Sequence, residues 1–283
     1  MKPRVMSLVL FTCMVGLIIA PNSVSYLNSV LSLIAVALGA GAAGTLNMWY
    51  ESDLDALMTR TCLRPIPTGQ VTKNQALFFG ISLSIGSISL LYYSSNLMSA
   101  SLLLLTICFY FFIYTVWLKR RTPQNIVIGG AAGALPPVIG WTIATGSLSI
   151  EPLILFLIIF LWTPSHFWAL SIYKSNDYKK AKIPMLPIIY GIDKTKKNIF
   201  IYSLLMLPTI SAPYFVSFLF EIYFYPALVL TIYYVYLCGS LLKVKKSKEI
   251  NNLARKIFLY SIFYLFVIFL LILFDHFFVR LYG

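Results

Sequence analysis

Long apolar runs separated by short polar stretches are the main feature of this chain. No charged residue occurs between Val5 and Tyr50, and similar runs recur as far as Val279. A helix rises 1.5 Å per residue, so a hydrocarbon core about 30 Å thick requires roughly 20 apolar residues. The pattern predicts nine membrane-spanning helices, at residues 5–20, 30–50, 75–92, 100–117, 125–141, 152–173, 200–218, 223–242 and 257–279.

The composition agrees with this pattern. Hydrophobic residues make up 59% of the chain and charged residues 11%, whereas a soluble domain typically has about 25% charged residues. An ordinary soluble domain is therefore excluded. We predict an all-α integral membrane protein in which residues 1–283 form one domain, a bundle of about nine transmembrane helices whose active site opens to the cytoplasmic side.

The basic residues are distributed unevenly across the predicted spans. Threading nine spans through a bilayer places 21 of the 22 Lys and Arg residues on one side, including Lys2 and Arg4, and leaves Arg280 on the other. Loops rich in Lys and Arg stay in the cytoplasm. We therefore expect a multi-pass protein of the bacterial cytoplasmic (inner) membrane, with the N-terminus and basic loops inside and the C-terminus opposite. The net charge of +13 attracts anionic lipids and diphosphates, and requires no nucleic acid partner.

A row of polar oxygens lies at the inner end of the second predicted span. Asn47, Glu51 and Asp55 are four residues apart, so a helix places them on one face, while Asp53 points elsewhere. Hard oxygen ligands suit Mg²⁺, which usually also binds a phosphate. The spacing predicts a magnesium site that serves catalysis. The alternative is a helix end with solvated charges.

Two pairs of cations are candidates for binding a diphosphate. Arg60 and Arg64 follow the oxygen row directly, and their planar guanidinium groups can each make two hydrogen bonds to a phosphate. Lys119 and Arg120 follow the fourth span. The alternative for this second pair is that it only contributes to the excess of cytoplasmic charge.

Asp177 is the only acid in a run of cations just after the sixth span, as Asp55 is in its own loop. It is a candidate ligand for a second metal site that faces the first. A paired acid four residues later is missing, because position 181 is Ala. The alternative is that Asp177 caps a helix.

Aromatic residues surround one of the two histidines. His166 lies in the sixth span with Trp162 and Trp168, and Tyr114 lies at the end of the fourth. Flat aromatic side chains suit a planar macrocycle or a carbocation, so we predict a haem or prenyl pocket. A neutral imidazole there can bind haem iron or accept a proton. Packing within the bundle is the alternative.

Several segments resemble a known family. Residues 47–69 resemble the signature of UbiA-type intramembrane prenyltransferases, with Glu51 where many members have Asp. Three further segments, at residues 2–5, 114–133 and 162–187, are similar to the members that act on haem. The resemblance extends over nearly the whole chain and implies a nine-helix bundle.

The resemblance implies transfer of a farnesyl group from farnesyl diphosphate to a vinyl group of haem b, with addition of water, to give haem O and diphosphate. Haem is then a substrate, and Mg²⁺ is the cofactor. The product would go to haem A synthesis or terminal oxidase assembly. The implied Mg²⁺ ligands are Asn47, Glu51, Asp55 and Asp177, and the implied diphosphate ligands are Arg60, Arg64, Lys119 and Arg120.

Three other functions compete with this one. The acceptor could be a quinone precursor or another lipid-soluble aromatic, although the segment around His166 argues against it. A membrane carrier for an anionic or isoprenoid substrate also has charged residues at its mouth. The third alternative is a haem-binding assembly factor without catalytic activity.

Overall fold

The computed structural model of this chain describes residues 3–59 and 61–282, without the side chains of residues 3–5, 280 and 282. Lys2 and Arg60, and the side chains of Arg4 and Arg280, therefore lie outside the described residues. Within the described ranges every regular element is a helix, as predicted. The α-helices are α1 (Pro3–Ile18), α2 (Tyr26–Tyr50), α3 (Ser52–Leu57), α4 (Lys73–Ser94), α5 (Leu97–Cys108), α6 (Asn125–Ala134), α7 (Pro136–Thr145), α8 (Ile150–Tyr173), α9 (Ser175–Lys180), α10 (Leu186–Ile189), α11 (Ile192–Phe215), α12 (Glu221–Lys243) and α13 (Ser247–Tyr282), and a π-helix, Phe109–Leu118, follows α5.

Eight helical segments of the described chain are long and apolar enough to cross a membrane. They are Tyr26–Tyr50, Lys73–Ser94, Leu97–Leu118, Asn125–Thr145, Ile150–Tyr173, Ile192–Phe215, Glu221–Lys243 and Ser247–Val279. The first of the nine predicted spans, residues 5–20, is not among them, because α1 has only 16 residues and ends at Ile18. Pro21 follows closely, and a proline disfavours helical conformation in the residue before it.

Helix α1 nevertheless lies within the bundle, in close contact with α7. A Cβ atom on Gly140 would collide with the carbonyl oxygen of Cys13 and the amide nitrogen of Leu17, and one on Gly16 would collide with the backbone of Pro137. Because the obstructing atoms belong to the backbone, only glycine permits this approach at either position. Small residues at helix contacts are typical of membrane bundles.

Apolar packing divides into two regions along helix α8. At the beginning of α8, Leu155 and Ile158 lie in a cluster with Met206 of α11 and Phe269 of α13. At its end, the helix packs with the apolar residues of the loops that follow α2 and α8. This second cluster includes Leu54, Met58, Trp168, Tyr178 and Met185. It fixes α3 and α9 against the same end of the bundle.

At the opposite end, a buried carboxylate joins α13 to α12. Asp275 is fully buried and accepts hydrogen bonds from the backbone N–H groups of Phe220, at 2.8 Å, and Tyr223, at 3.0 Å. The first N–H groups of a helix have no partner within that helix, and a carboxylate also stabilises the positive end of the helix dipole. Asp275 therefore caps the beginning of α12.

Candidate functional site

The oxygen row begins in the last turn of α2. Asn47 and Glu51 are 0% and 2% exposed, and Asn47 Nδ2 donates a hydrogen bond of 2.9 Å to Glu51 Oε2. The same Nδ2 donates to Thr115 Oγ1 at 3.0 Å. The amide hydrogens of Asn47 thus fix the Glu51 carboxylate and connect it to the helix that carries Thr115.

Lys119 supplies the positive charge at Glu51. Its Nζ atom donates a hydrogen bond to Glu51 Oε2, and the two side chains are only 10% and 2% exposed. The second oxygen, Glu51 Oε1, is buried and has no hydrogen-bond partner among the described residues. A buried carboxylate oxygen without a partner is costly unless a ligand satisfies it.

The π-helix brings Thr115 and Lys119 onto the side that faces α2. Thr115 Oγ1 donates to the carbonyl of Tyr110 at 2.8 Å, and the Lys119 N–H donates to the carbonyl of Tyr114 at 3.0 Å. The second is a backbone bond that spans five residues instead of four, so the turn is wider than in an α-helix. π-helical segments are rare and are frequent at functional sites.

Asp55 and Asp53 lie on different faces of α3. Asp55 is 2% exposed, and Arg64 Nη1 donates to its Oδ2 at 2.7 Å. The Asp53 side chain is 55% exposed and binds Arg120 through two hydrogen bonds of 2.9 and 3.1 Å. Burial raises the pKa of Asp53, but the hydrogen bonds and charge of Arg120 outweigh it and hold that pKa below its ordinary value. Arg120 is therefore bound at the surface, apart from Lys119.

The two predicted acidic loops meet through a threonine. Thr59, which follows α3, shares its hydroxyl proton between the two carboxylate oxygens of Asp177, at 3.0 and 3.1 Å. Asp177 lies in the first turn of α9 and is 8% exposed. The structure thus brings Asp177 to the segment that follows α3, the helix that contains Asp55. Arg60, the residue after Thr59, lies outside the described residues.

These side chains fit a divalent cation that a phosphate helps to hold. In the described part of the chain, no three Asp, Glu, His or Cys side chains converge as a complete metal cage. Mg²⁺ seldom needs such a cage, because it usually binds one or two carboxylates together with substrate phosphates and water. Glu51 Oε1 is an available hard oxygen ligand. Lys119 binds the other oxygen of Glu51, and Arg64 binds Asp55. The donor set therefore suits a magnesium diphosphate better than the bare ion.

His166 lies between two aromatic rings. Its imidazole stacks on Trp162, with the ring centres 4.2 Å apart, and on Phe258 of α13, at 4.8 Å. Its Nδ1 atom is 2.6 Å from Ser261 Oγ. Only 7% of His166 is exposed.

The predicted aromatic wall is divided, and Trp168 does not belong to the His166 group. Trp168 is 1% exposed and packs edge-on against Tyr202 of α11. A helix turns about 100° per residue, so Trp162 and His166 share a face and Trp168 points away from it. Tyr114 lies elsewhere again, against Tyr110, with Lys119 Nζ 5.8 Å from its ring centre. The four residues predicted to line a haem or prenyl pocket therefore do not form one continuous aromatic surface.

Four residues near these groups were not predicted from the sequence: Thr59, Tyr110, Thr115 and Ser261. Thr59, Thr115 and Ser261 each bind a predicted site residue. Tyr110 lies within coulombic range of Glu51 and Asp55. Hydroxyl side chains inside or next to apolar spans were the available signal, because polar groups in a membrane bundle pair with other polar groups.

Comparison with known proteins places this architecture in one family. Residues 9–263 match the sequence model of the UbiA prenyltransferase family. The protoheme IX farnesyltransferase of Pelagibacter ubique is 66% identical over 275 residues, which cover 97% of this chain and 91% of that one.

Two solved structures are similar in fold. One, described as digeranylgeranylglyceryl phosphate synthase in membranes, has a TM-score of 0.79 at 19% identity and covers 95% of this chain and 92% of its own. The other is a UbiA homolog from Archaeoglobus fulgidus bound to DMAPP and Mg²⁺, with a TM-score of 0.68 at 16% identity and coverage of 93% and 96%. The sequence matches and the shared fold agree, and this protein belongs to the UbiA prenyltransferase family.

Proposed function

We propose that this protein transfers the farnesyl group of farnesyl diphosphate to a vinyl group of haem b, with addition of water, and releases haem O and diphosphate. The observation that carries the proposal is two buried carboxylates, Glu51 and Asp55, which bind the cations Lys119 and Arg64. It occurs in a chain 66% identical, over nearly its full length, to a protoheme IX farnesyltransferase.

The carboxylates would hold the metal ion of the substrate complex. It would be bound at the end of α2 by Asn47 and Glu51, and on α3 by Asp55. Asp177 would contribute from α9, which the hydrogen bond from Thr59 connects to the segment after α3. Bound Mg²⁺ would neutralise negative charge on the departing diphosphate. The A. fulgidus homolog was solved with Mg²⁺ and a prenyl diphosphate, which supports this choice of cofactor.

The cations would stabilise the leaving group. Lys119 and Arg64 now bind carboxylates, and a diphosphate offers each of them a second anion at the same place. Arg60, a candidate from the sequence alone, would join them. Preorganised cations are most effective where charge develops in the transition state, because they need not reorganise during the reaction. Arg120 binds Asp53 at the surface and would act on the diphosphate only through long-range electrostatic attraction.

The reaction breaks the bond between the first farnesyl carbon and its oxygen, and diphosphate leaves with the electron pair. The vinyl group of haem b attacks the allylic cation, and water adds to the cation formed on the haem side chain and loses a proton. The electron-rich face of Tyr114, whose ring centre is 5.8 Å from Lys119 Nζ, suits a cationic intermediate. The aromatic contacts around His166 exclude bulk water, which limits premature capture of the cation.

The test is a reaction of the purified protein in nanodiscs with haem b, farnesyl diphosphate and Mg²⁺, followed by mass spectrometry. We expect a haem heavier by one farnesyl group and one hydroxyl group, and no product in excess EDTA until Mg²⁺ is restored. Full activity in EDTA would contradict the metal site. Bound haem b without turnover would favour a haem-binding assembly factor. Prenylation of an added quinone precursor would favour that class of acceptor. Uptake of labelled farnesyl diphosphate into liposomes would favour a membrane carrier.

The proposed sidedness can be tested at Cys62, which lies in the loop after α3. Cys62 is partly exposed, whereas Cys13 and Cys238 are buried. If the site opens to the cytoplasm of a bacterial inner membrane, a charged, impermeant thiol reagent should label Cys62 in inside-out vesicles and not in intact spheroplasts. Cys62→Ser is the control for labelling of Cys108. Equal labelling from the outer side would overturn the proposed orientation.

A further inference from the structure

Ser261 of α13 determines which imidazole nitrogen of His166 carries the proton. Ser261 is fully buried, and its hydroxyl donates a hydrogen bond of 2.7 Å to the backbone carbonyl of Phe258. A carbonyl can only accept, and a serine hydroxyl has a single proton. The Ser261 oxygen must then accept at its 2.6 Å contact with His166 Nδ1. Both hydrogen bonds form together only when the proton of His166 is on Nδ1.

The orientation of the imidazole is fixed as well. Trp162 and Phe258 stack on its two faces, and the edge of Phe167 closes a third side. Trp162 Nε1 donates a hydrogen bond of 2.9 Å to the carbonyl of Ser261, so the stacking partner is tied to the same residue. Both faces and one side of the ring are therefore covered, and the hydrogen bond at Nδ1 is the one that the imidazole makes among the described residues.

We infer that Ser261 is a positioning residue that holds His166 in the Nδ1–H form, so that the Nε2 lone pair is available to the iron of the haem substrate. The inference rests on the proposed function for its ligand, haem iron. A histidine that binds a metal through one nitrogen typically donates the other N–H to a neighbouring acceptor, which fixes its orientation and tautomer. The Ser261 hydroxyl is such an acceptor. A lone pair at the edge of a ring covered on both faces can reach a metal ion in the plane of the imidazole.

The tautomer can be measured without any substrate. The chain has two histidines, so a His276→Gln variant labelled with ¹⁵N-histidine shows the nitrogens of His166 alone. We expect Nδ1 to resonate as a protonated nitrogen and Nε2 as an unprotonated one. Ser261→Ala should populate both tautomers, whereas Ser261→Thr, which keeps the hydroxyl, should retain the first. Protonation of Nε2 in the protein with Ser261 intact would overturn the inference.

Binding of haem provides the second measurement. In haem b titrations followed at the Soret band, Ser261→Ala should weaken binding by roughly 10–100-fold, as second-shell changes do for metal ligands. His166→Ala should alter the Soret spectrum in the same direction as Ser261→Ala. The variant with both substitutions should bind haem no more weakly than His166→Ala alone. The affinity for farnesyl diphosphate should stay the same in all three variants.

The two possible failures can be distinguished. An unchanged spectrum and haem affinity in Ser261→Ala, in protein that still makes farnesylated haem, would refute the role of Ser261 and leave the proposed function intact. If the chain makes no farnesylated haem while the ¹⁵N spectra show the Nδ1–H form, the proposed function fails and the tautomer assignment stands.

Discussion

Asp55→Asn is expected to lower farnesyl transfer by at least about 10²–10³-fold, the loss typical when one preorganised electrostatic group is removed from an active site. Asp55 is 2% exposed and binds Arg64 at 2.7 Å. The amide has nearly the same shape but no charge, so it should weaken the hold on Mg²⁺ and on the guanidinium group. The rate of haem O formation in nanodiscs is the measurement.

Asp53→Asn is the matched control, since both acids lie on the six-residue helix α3. The Asp53 side chain is 55% exposed, and we expect its variant to keep activity within a few-fold of the parent protein. Both variants should insert into the membrane in normal amounts. Equal losses of activity in the two variants would contradict the assignment of opposite faces.

Lys119→Met is expected to destabilise the protein by about 3–5 kcal/mol, the usual cost of leaving one partner of a buried ion pair without the other. The Lys119 and Glu51 side chains are only 10% and 2% exposed, so water cannot easily solvate the remaining carboxylate. Activity should be lost as well, because Lys119 faces the proposed diphosphate. Denaturant unfolding in detergent, followed by tryptophan fluorescence, measures the change.

A second substitution separates stability from catalysis. Glu51→Gln added to Lys119→Met removes the unpaired charge, so the double variant should recover most of the lost stability and remain inactive. Arg120→Met is the matched surface control. The Arg120 and Asp53 side chains are 37% and 55% exposed, and exposed ion pairs contribute about 0–1 kcal/mol. A similar loss of stability in Lys119→Met and Arg120→Met would show that the Glu51 pair is not buried.

Spacing within one helix could be predicted from the sequence. The Asn47 and Glu51 side chains are four residues apart and meet at 2.9 Å, while Asp53 faces away from them. The same rule was misapplied in α8, where Trp168 was grouped with Trp162 and His166 although it lies on another face. The sequence shows that aromatic residues are frequent in α8, but the rotation of the helix from one residue to the next decides which of them share a face.

The π-helix could not be predicted from the pattern. Residues 109–118 are almost uniformly apolar, so their periodicity does not distinguish hydrogen bonds over five residues from those over four. That difference decides whether Thr115 reaches Asn47 and Lys119 reaches Glu51. The sequence made Lys119 a candidate diphosphate ligand, but it did not show that Lys119 binds Glu51.

Partners distant in sequence were also missed. His166 and Ser261 are 95 residues apart, and Thr59 and Asp177 are 118 apart. Hydrophobic patterns show which residues face lipid or protein, but they do not show which helices are neighbours. One polar side chain inside a bundle normally pairs with another, so Ser261 in an apolar span indicates a polar contact, but the sequence does not identify its partner.

The cap that Asp275 forms on α12 has a consequence for biogenesis. Until α13 has entered the bilayer, the leading N–H groups of α12 lack the carboxylate that satisfies them, and unpaired backbone groups are unfavourable near hydrocarbon. The last two helices should therefore leave the translocon as a hairpin, and a ribosome that stalls before codon 275 would release a nascent chain whose penultimate helix is poorly anchored.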